Sequence, residues 1–518
     1  MVDESIQAVP SASSNAMHDP CGGPGSKVDE KTATEDSMTW SDRWQAIRPS
    51  FLPMIQSFMI QFITGINDSN LGIMLPSIKA HYGLSQYVVS IIFLCNSLGY
   101  VASAFANGYL VKHISQARTA LLGSCSMVIG FLVVLFGVPF PVMCIFIVFV
   151  GLGVGLTQAS SNVVCGELPY NTVMLSFLHA NYAAGGLIGP LMASGLLQAG
   201  KTWNTSYIIL TALAIFNTLS ICVTFRRLRI QAEREADAEK ELALQKERDL
   251  ENLPPAVVPT PISERNSMSP TIYSDCESDR STVHSTKKPQ QSMLQETLLQ
   301  RIVYMGAPFL LFYTGVEVTI GNWGYTFLIT ARSTDLPKMA HFMSGYWGGL
   351  CAGRLFLGYF TLRFGEKRMV YLYLSVIVVM LTLLWVLPYI GANATSLVIT
   401  GFALGPLFPT TVSVAHKLIP TRLYACSVGF LSACASTGSA LMPYITGVLI
   451  GSTGVQAMLP FVVAMSSAML VAWAAIPDPV DNGSLFTVAK RLFRRVIWQR
   501  RQDEENSCEG KPSAYTIA

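Results

Sequence analysis

TGINDSNLG, residues 64–72, sits inside an otherwise apolar run from 51 to 76. Two readings compete for it. Either the run is two short pieces with a polar turn at Asn67-Asp68, or it is one membrane helix that carries a carboxylate toward a protein interior. A spanning helix needs roughly 20 mostly apolar residues. A break at Asn67-Asp68 would leave pieces of 51–66 and 69–76, both too short to cross. The single helix is therefore the expectation, and the rest of the chain bears on it.

Eleven further runs of comparable length follow, giving twelve expected spans: 51–76, 87–111, 119–138, 142–165, 174–198, 206–225, 302–328, 341–362, 369–388, 395–416, 424–450 and 456–476. Of the 518 residues, 51% are hydrophobic and only 13% charged, where an ordinary soluble domain carries about 25% charged residues. The net charge of +3 gives no reason to expect nucleic acid. The eleven cysteines are scattered singly, so neither a metal site nor a disulfide framework is expected, and no cofactor is called for. The first 46 residues are polar and hold no cleavable signal of the usual form.

An even number of spans puts both termini on one side, and Lys and Arg choose that side, since basic residues near helix ends stay cytoplasmic. With both termini inside, the outer loops hold only Lys79, Lys201, Arg332 and Lys338. Arg226, Arg227, Arg363, Lys367, Arg368, Lys417 and Arg422 all fall inside. A multi-pass protein with cytoplasmic termini is expected, in the plasma membrane rather than an endomembrane. The domain plan that follows is a disordered tail at 1–50, a six-helix bundle at 51–225, a cytoplasmic linker at 226–301, a second bundle at 302–476 and a tail at 477–518. The linker starts as a charged helical run and turns Pro-rich, then Ser/Asp-rich, the composition of disorder. In the last segment, basic residues oppose Leu485, Leu492, Phe493, Val496 and Ile497, so 484–501 reads as a helix lying on anionic inner-leaflet lipids.

The two bundles can be laid on one another at an offset of 250. Thr64-Gly65 falls on Thr314-Gly315, Gly99 on Gly349, Gly108-Tyr109 on Gly358-Tyr359, Gly151 on Gly401 and Gly155 on Gly405. Small residues at such places let helices approach closely. Two related halves with a site between them is how secondary transporters are built.

NGYLVKHISQAR and CAGRLFLGYFTLRFGEKR resemble the loops after the second and eighth helices of the major facilitator superfamily. The resemblance covers all twelve spans and implies an all-α membrane fold of two pseudo-symmetric six-helix bundles. The second copy is the fuller one, and the likeness implies a gating loop of Arg354, Arg363, Lys367 and Arg368. In the first copy Lys112 and Ser115 replace the usual aspartate and a glycine.

Ionisable groups at mid-membrane are expensive, about 2.5–3.5 kcal/mol for Asp on insertion scales, and persist where they face a cavity or a partner. Gln61, Thr64 and Asp68 share one face of the first helix. Glu317 lies opposite Asn67 in the repeat, with Tyr313 a turn before it and Trp323 beyond. Gln158 and Asn162 are neighbours on the fourth helix, and His179 and Tyr182 share a face of the fifth. Each has a plainer reading. Asp68 could be wetted by helix tilt, Glu317 could hydrogen-bond a neighbouring helix, and His179 could be a satisfied interior histidine. Gln158 and Asn162 could glue helices together, at about 0.6 kcal/mol for such a bond.

Within the superfamily the chain most resembles the fucose–proton symporter-like branch. Asn67-Asp68 followed by Pro76, FLCNSLGY on the second helix, GLGVGLTQASSN on the fourth and YTGVEVTIGNWGY on the seventh carry that likeness. Gln158 stands where sugar porters of the branch often have glutamate, and Asn162 matches their asparagine. The resemblance implies a transporter of a sugar or polyol, with Asp68 and Glu317 handling the proton. Asn67, Gln61, Gln158, Asn162, His179, Tyr313 and Trp323 would touch the solute. The expected partners are that small solute, the proton and the bilayer. The competing expectations are a proton-antiporting exporter, which GGLIGPLMASG on the fifth helix partly matches, and a non-transporting nutrient sensor. An enzyme is not expected, since HExxH, GxSxG and phosphate-binding glycine loops are missing.

Overall fold

The computed structural model describes residues 48–168, 171–225 and 293–476. The tails, with the expected 484–501 helix, and most of the 226–301 linker fall outside the described residues. Among the described residues every regular element is a helix. Twelve are long: α1 Phe51–Tyr82, α2 Gln86–Ile114, α3 Gln116–Leu135, α4 Phe140–Gly166, α5 Asn171–Gln198 and α6 Trp203–Phe225 form the first six. The second six are α7 Arg301–Ala331, α8 Leu336–Phe364, α9 Glu366–Val386, α10 Ile390–Leu418, α11 Thr421–Thr453 and α12 Met458–Ala475. A short helix, Met293–Leu298, precedes α7.

Asn67-Asp68 does not turn the chain: α1 runs through it without interruption, and through Pro76 as well. The tenth span departs from the sequence expectation. Instead of one continuous helix it is two, Ile390–Leu404 and Leu407–Leu418, separated at Gly405-Pro406. Pro406 has no N–H to give to the preceding turn. Elsewhere the helix ends follow local chemistry. Ser85 accepts from the Val88 N–H to cap α2, and Asp335 accepts from the Lys338 N–H to cap α8.

The offset of 250 is carried into the packing. A Cβ on Gly99 would lie 2.1 Å from the Val148 carbonyl oxygen, and one on Gly349 would lie 2.2 Å from that of Val398. A Cβ on Gly151 would lie 1.9 Å from the Asn96 carbonyl oxygen, and one on Gly401 would lie 2.1 Å from that of Tyr346. The pairs α2–α4 and α8–α10 are thus packed backbone to backbone at equivalent positions, which only glycine permits. Gly65 likewise lies against α5, and Gly315 against α11. The α2–α3 and α8–α9 turns also correspond. Gly365 takes φ 95° in the second, and Ser115 takes φ 80° in the first, the one non-glycine residue with positive φ among those described.

The halves meet along α5–α8 and α2–α11. Trp347 of α8 is wedged between Gly186 of α5 and Gly321 of α7, each within 2.6 Å of where its Cβ would stand. Gly72 of α1 lies against the Gly321 carbonyl of α7. Among the described residues nine helices are long and apolar enough to cross a membrane by length and composition. The three long helices outside that set are α1, α5 and α8. These carry Asp68, His179 and Arg354, and all three take part in the contact between halves, beside the apolar α2, α7 and α11.

Candidate functional site between the halves

α1 brings Gln61, Asn67 and Asp68 to the interface. Asp68 is partly buried; its Oδ1 accepts from Asn67 Nδ2 at 3.0 Å and its Oδ2 from the Tyr182 hydroxyl of α5 at 2.9 Å. About two turns toward the start of α1, Gln158 of α4 donates through Nε2 to Gln61 Oε1 at 3.1 Å. Gln61 Nε2 and Asn162 Oδ1 are buried and have no hydrogen-bond partner among the described residues. A donor and an acceptor are thus left over in one region of the first half.

In the second half the centre is an ion pair. Glu317 of α7 receives Arg354 Nη2 of α8 at 3.0 and 3.1 Å, with both side chains 6% exposed. Tyr313 accepts from the same nitrogen at 3.4 Å, and Tyr346 donates to the Glu317 backbone oxygen at 3.0 Å. Removing one member of such a pair would leave an uncompensated buried charge, so the two side chains hold each other in place. Gly405, at the break in α10, lets that helix approach the backbone nitrogen of Arg354.

The two clusters touch. Arg354 Nη1 crosses the interface to donate to the His179 carbonyl of α5 at 2.8 Å, and its guanidinium carbon lies 5.7 Å from the centre of the Tyr182 ring. That tyrosine is the one bonded to Asp68. Asp68, Tyr182, Arg354 and Glu317 therefore form a continuous path from α1 to α7. The His179 ring itself faces Phe408 of α10 at 5.6 Å.

Several residues stand elsewhere than the sequence suggested. Arg354 is no loop residue but lies within α8, ion-paired and buried. Lys367 is buried at the start of α9, where its Nζ donates to the Trp473 carbonyl and, at 2.6 Å, to that of Ile476, closing the end of α12. Of the four residues grouped as a gating loop, only Arg363 and Arg368 are exposed. Trp323 is fully buried; its indole N–H donates to the Pro443 carbonyl at 2.8 Å, and its ring packs on Phe93 of α2 at 5.8 Å. In this structure it closes the contact of α2, α7 and α11 and offers no open face for stacking. Tyr182 received no separate role from the sequence, and a tyrosine in an apolar run signals little by itself. Arg354 had a clearer signal: an arginine well inside an apolar span needs a partner.

A family model, the Major Facilitator Superfamily, matches residues 57–429 and 310–500. The chain belongs to that superfamily. It is a membrane transporter, not an enzyme, with the twelve-helix fold of two six-helix bundles. Among curated proteins it is 25% identical over 460 residues to Bypass of stop codon protein 6 of Saccharomyces cerevisiae, covering 86% of each chain. It is 22% identical over 441 residues to the human Sodium-dependent glucose transporter 1, covering 82% of this chain and 76% of that one. Among solved structures, a D-xylose–proton symporter matches with a TM-score of 0.59 at 12% identity, over 84% of this chain and 99% of that one. The E. coli fucose:proton symporter matches with a TM-score of 0.53 at 13% identity, over 82% and 98%. At such identities these likenesses carry the fold.

Proposed function

We propose that the chain is a secondary active transporter of a small, hydroxyl-rich solute, a sugar or polyol, moved together with a proton. The observation that carries this reading is Asp68: a carboxylate on a membrane helix, at the contact between the halves, held only by neutral donors. Burial disfavours the charged form of a carboxylate, and a proton removes that penalty. In the proposed cycle Asp68 takes a proton from the outer side, and the neutral, loaded carrier rocks to release both inside. Gln61, Gln158, Asn162 and Asn67 supply a mixed set of amide donors and acceptors, which suits a hydroxyl, itself both donor and acceptor. His179 and Tyr313 flank the same region. The names of the neighbours, symporters of xylose and fucose, agree with that class. The Lys and Arg asymmetry supports cytoplasmic termini, and we assign the chain to the plasma membrane.

The test is uptake of hexoses, deoxyhexoses and polyols into proteoliposomes with an inward proton gradient, an inward sodium gradient or none. Proton-driven accumulation is expected, with Asp68→Asn keeping solute counterflow but losing accumulation. Accumulation driven by sodium alone would replace the proton in the scheme. No uptake under any gradient would sink the symport reading in favour of an exporter.

A further inference from the structure

Arg354 does more than neutralise Glu317. Its side chain spans two environments: Nη2 is bonded to the carboxylate and Tyr313 of its own half, while Nη1 is bonded to a backbone carbonyl of the other half. A turn earlier on α8, the Cys351 thiol makes a second bond of the same kind, donating to the Ala180 carbonyl at 3.4 Å. Two successive turns of α8 are therefore fastened to two consecutive carbonyls of α5. Of the three guanidinium nitrogens, one makes no bond. Nε is buried and has no partner among the described residues. Leaving a buried donor unsatisfied is costly, and more so on a charged group, so an acceptor arriving there is strongly favoured.

Three facts say what that acceptor is. The charge of Arg354 is already met by Glu317, so a second anion would have to compete with a carboxylate in place. The guanidinium lies against the Tyr182 ring, whose hydroxyl is bonded to Asp68. In the first half Gln61 Nε2, Asn162 Oδ1 and both amide atoms of Asn70 are likewise buried without a partner among the described residues. A neutral solute with several oxygens fits that set.

We infer that Arg354 binds a neutral oxygen of the solute through Nε and, through the same rigid group, links solute occupancy to the contact between α8 and α5. The guanidinium is planar and its nitrogens move as one body. An oxygen that draws Nε toward the solute must therefore re-aim Nη1 at the His179 carbonyl. Arg354 thus reads the solute on one edge and the opposite half on the other. Glu317 and Tyr313 position it; Asp68, Tyr182 and His179 are the titratable groups that face it from the first half. This inference rests on the proposed solute class, but not on the proton.

The experiment uses Cys351 as a native reporter of the α5–α8 contact, in the full chain reconstituted in proteoliposomes. Its labelling rate with N-ethylmaleimide is read by peptide mass spectrometry, with exposed Cys222 as the internal reference. Xylose, fucose and glucose are the probes, and their binding is followed separately by thermal shift. A sugar that binds is expected to change Cys351 labelling at least about fivefold, the low end of ordinary site-to-site coupling. Arg354→Lys keeps the charge beside Glu317 but lacks the planar fork. It is expected to bind the sugar more weakly and to lose the sugar effect on Cys351. An unchanged sugar effect in Arg354→Lys would overturn the inference, as would binding to the parent protein with no change at Cys351. If none of the sugars binds, the proposed solute class fails by itself. The clasp is then judged without solute: basal Cys351 labelling rises about fivefold or more in Arg354→Lys, or the clasp is refuted.

Discussion

The two halves share a backbone plan and divide the chemistry unequally. At the position where the second half has Glu317 the first has Asn67, and where the second has Arg354 the first has Ala104. The second half therefore contains an acid and a base that neutralise each other. In the first, Asp68 is bonded, among the described residues, to Asn67 and Tyr182, both neutral. A paired charge is fixed by its partner, while Asp68 is held by neutral donors, which is the difference the proposed cycle uses. The repeat teaches that glycine contacts preserve the frame, and that a few polar exchanges on that frame separate an ion-paired acid from one held by neutral donors.

The sharpest way to break this comparison is to neutralise the acids one at a time. Glu317→Gln leaves the Arg354 guanidinium buried without its counter-ion and is expected to cost about 3–5 kcal/mol. Thermal unfolding in detergent should show that loss, and Glu317→Gln combined with Arg354→Gln should recover a good part of it. Asp68→Asn, which strands no opposite charge, should unfold close to the parent protein. Equal losses for the two single variants would erase the distinction between the halves.

The shared frame makes a smaller prediction, by about 1–3 kcal/mol for overpacking. Gly151→Ala and Gly401→Ala drive a methyl group into the Asn96 and Tyr346 carbonyls. Both should lower the unfolding temperature, and by similar amounts if the two α-helical contacts are true counterparts. A harmless Gly401→Ala beside a damaging Gly151→Ala would show that the repeat is only approximate there.

The equivalent turns differ in the other direction. Ser115 has φ 80° and ψ 156°, a conformation suited to glycine, which its counterpart Gly365 is. Ser115→Gly should therefore stabilise the first half by about 1 kcal/mol, the lower end of such backbone strain. An unchanged or lowered unfolding temperature would mean that the serine is compensated in a way its backbone does not reveal. The smallest effects belong to the exposed bases of the second turn. Arg363→Ala and Arg368→Ala should change stability by less than about 0.5 kcal/mol.

Much of this architecture is legible before any coordinates. Twelve apolar runs, the continuity of the first helix through Asn67-Asp68 and the spacing of Gly99, Gly151, Gly349 and Gly401 all follow from length, hydropathy and small-residue pattern. These are one-dimensional properties, because a membrane span must satisfy its own backbone within a single segment. Asp68 and Glu317 stand out for the same reason: a charge inside an apolar run is visible in the string. Partnership is not visible there. Glu317 and Arg354 are 37 residues apart, and Tyr182 and Asp68 are 114 apart. Only the crossing of α1, α5, α7 and α8 decides that one carboxylate meets a guanidinium and the other a phenol. The burial of Trp323 and Lys367 was likewise decided by packing, since each depends on which neighbour arrives. The chain by itself determined the spans, their repeat and the residues out of place in lipid. The tertiary structure decided which of those residues satisfy one another and which polar atoms, among the described residues, are left without a partner.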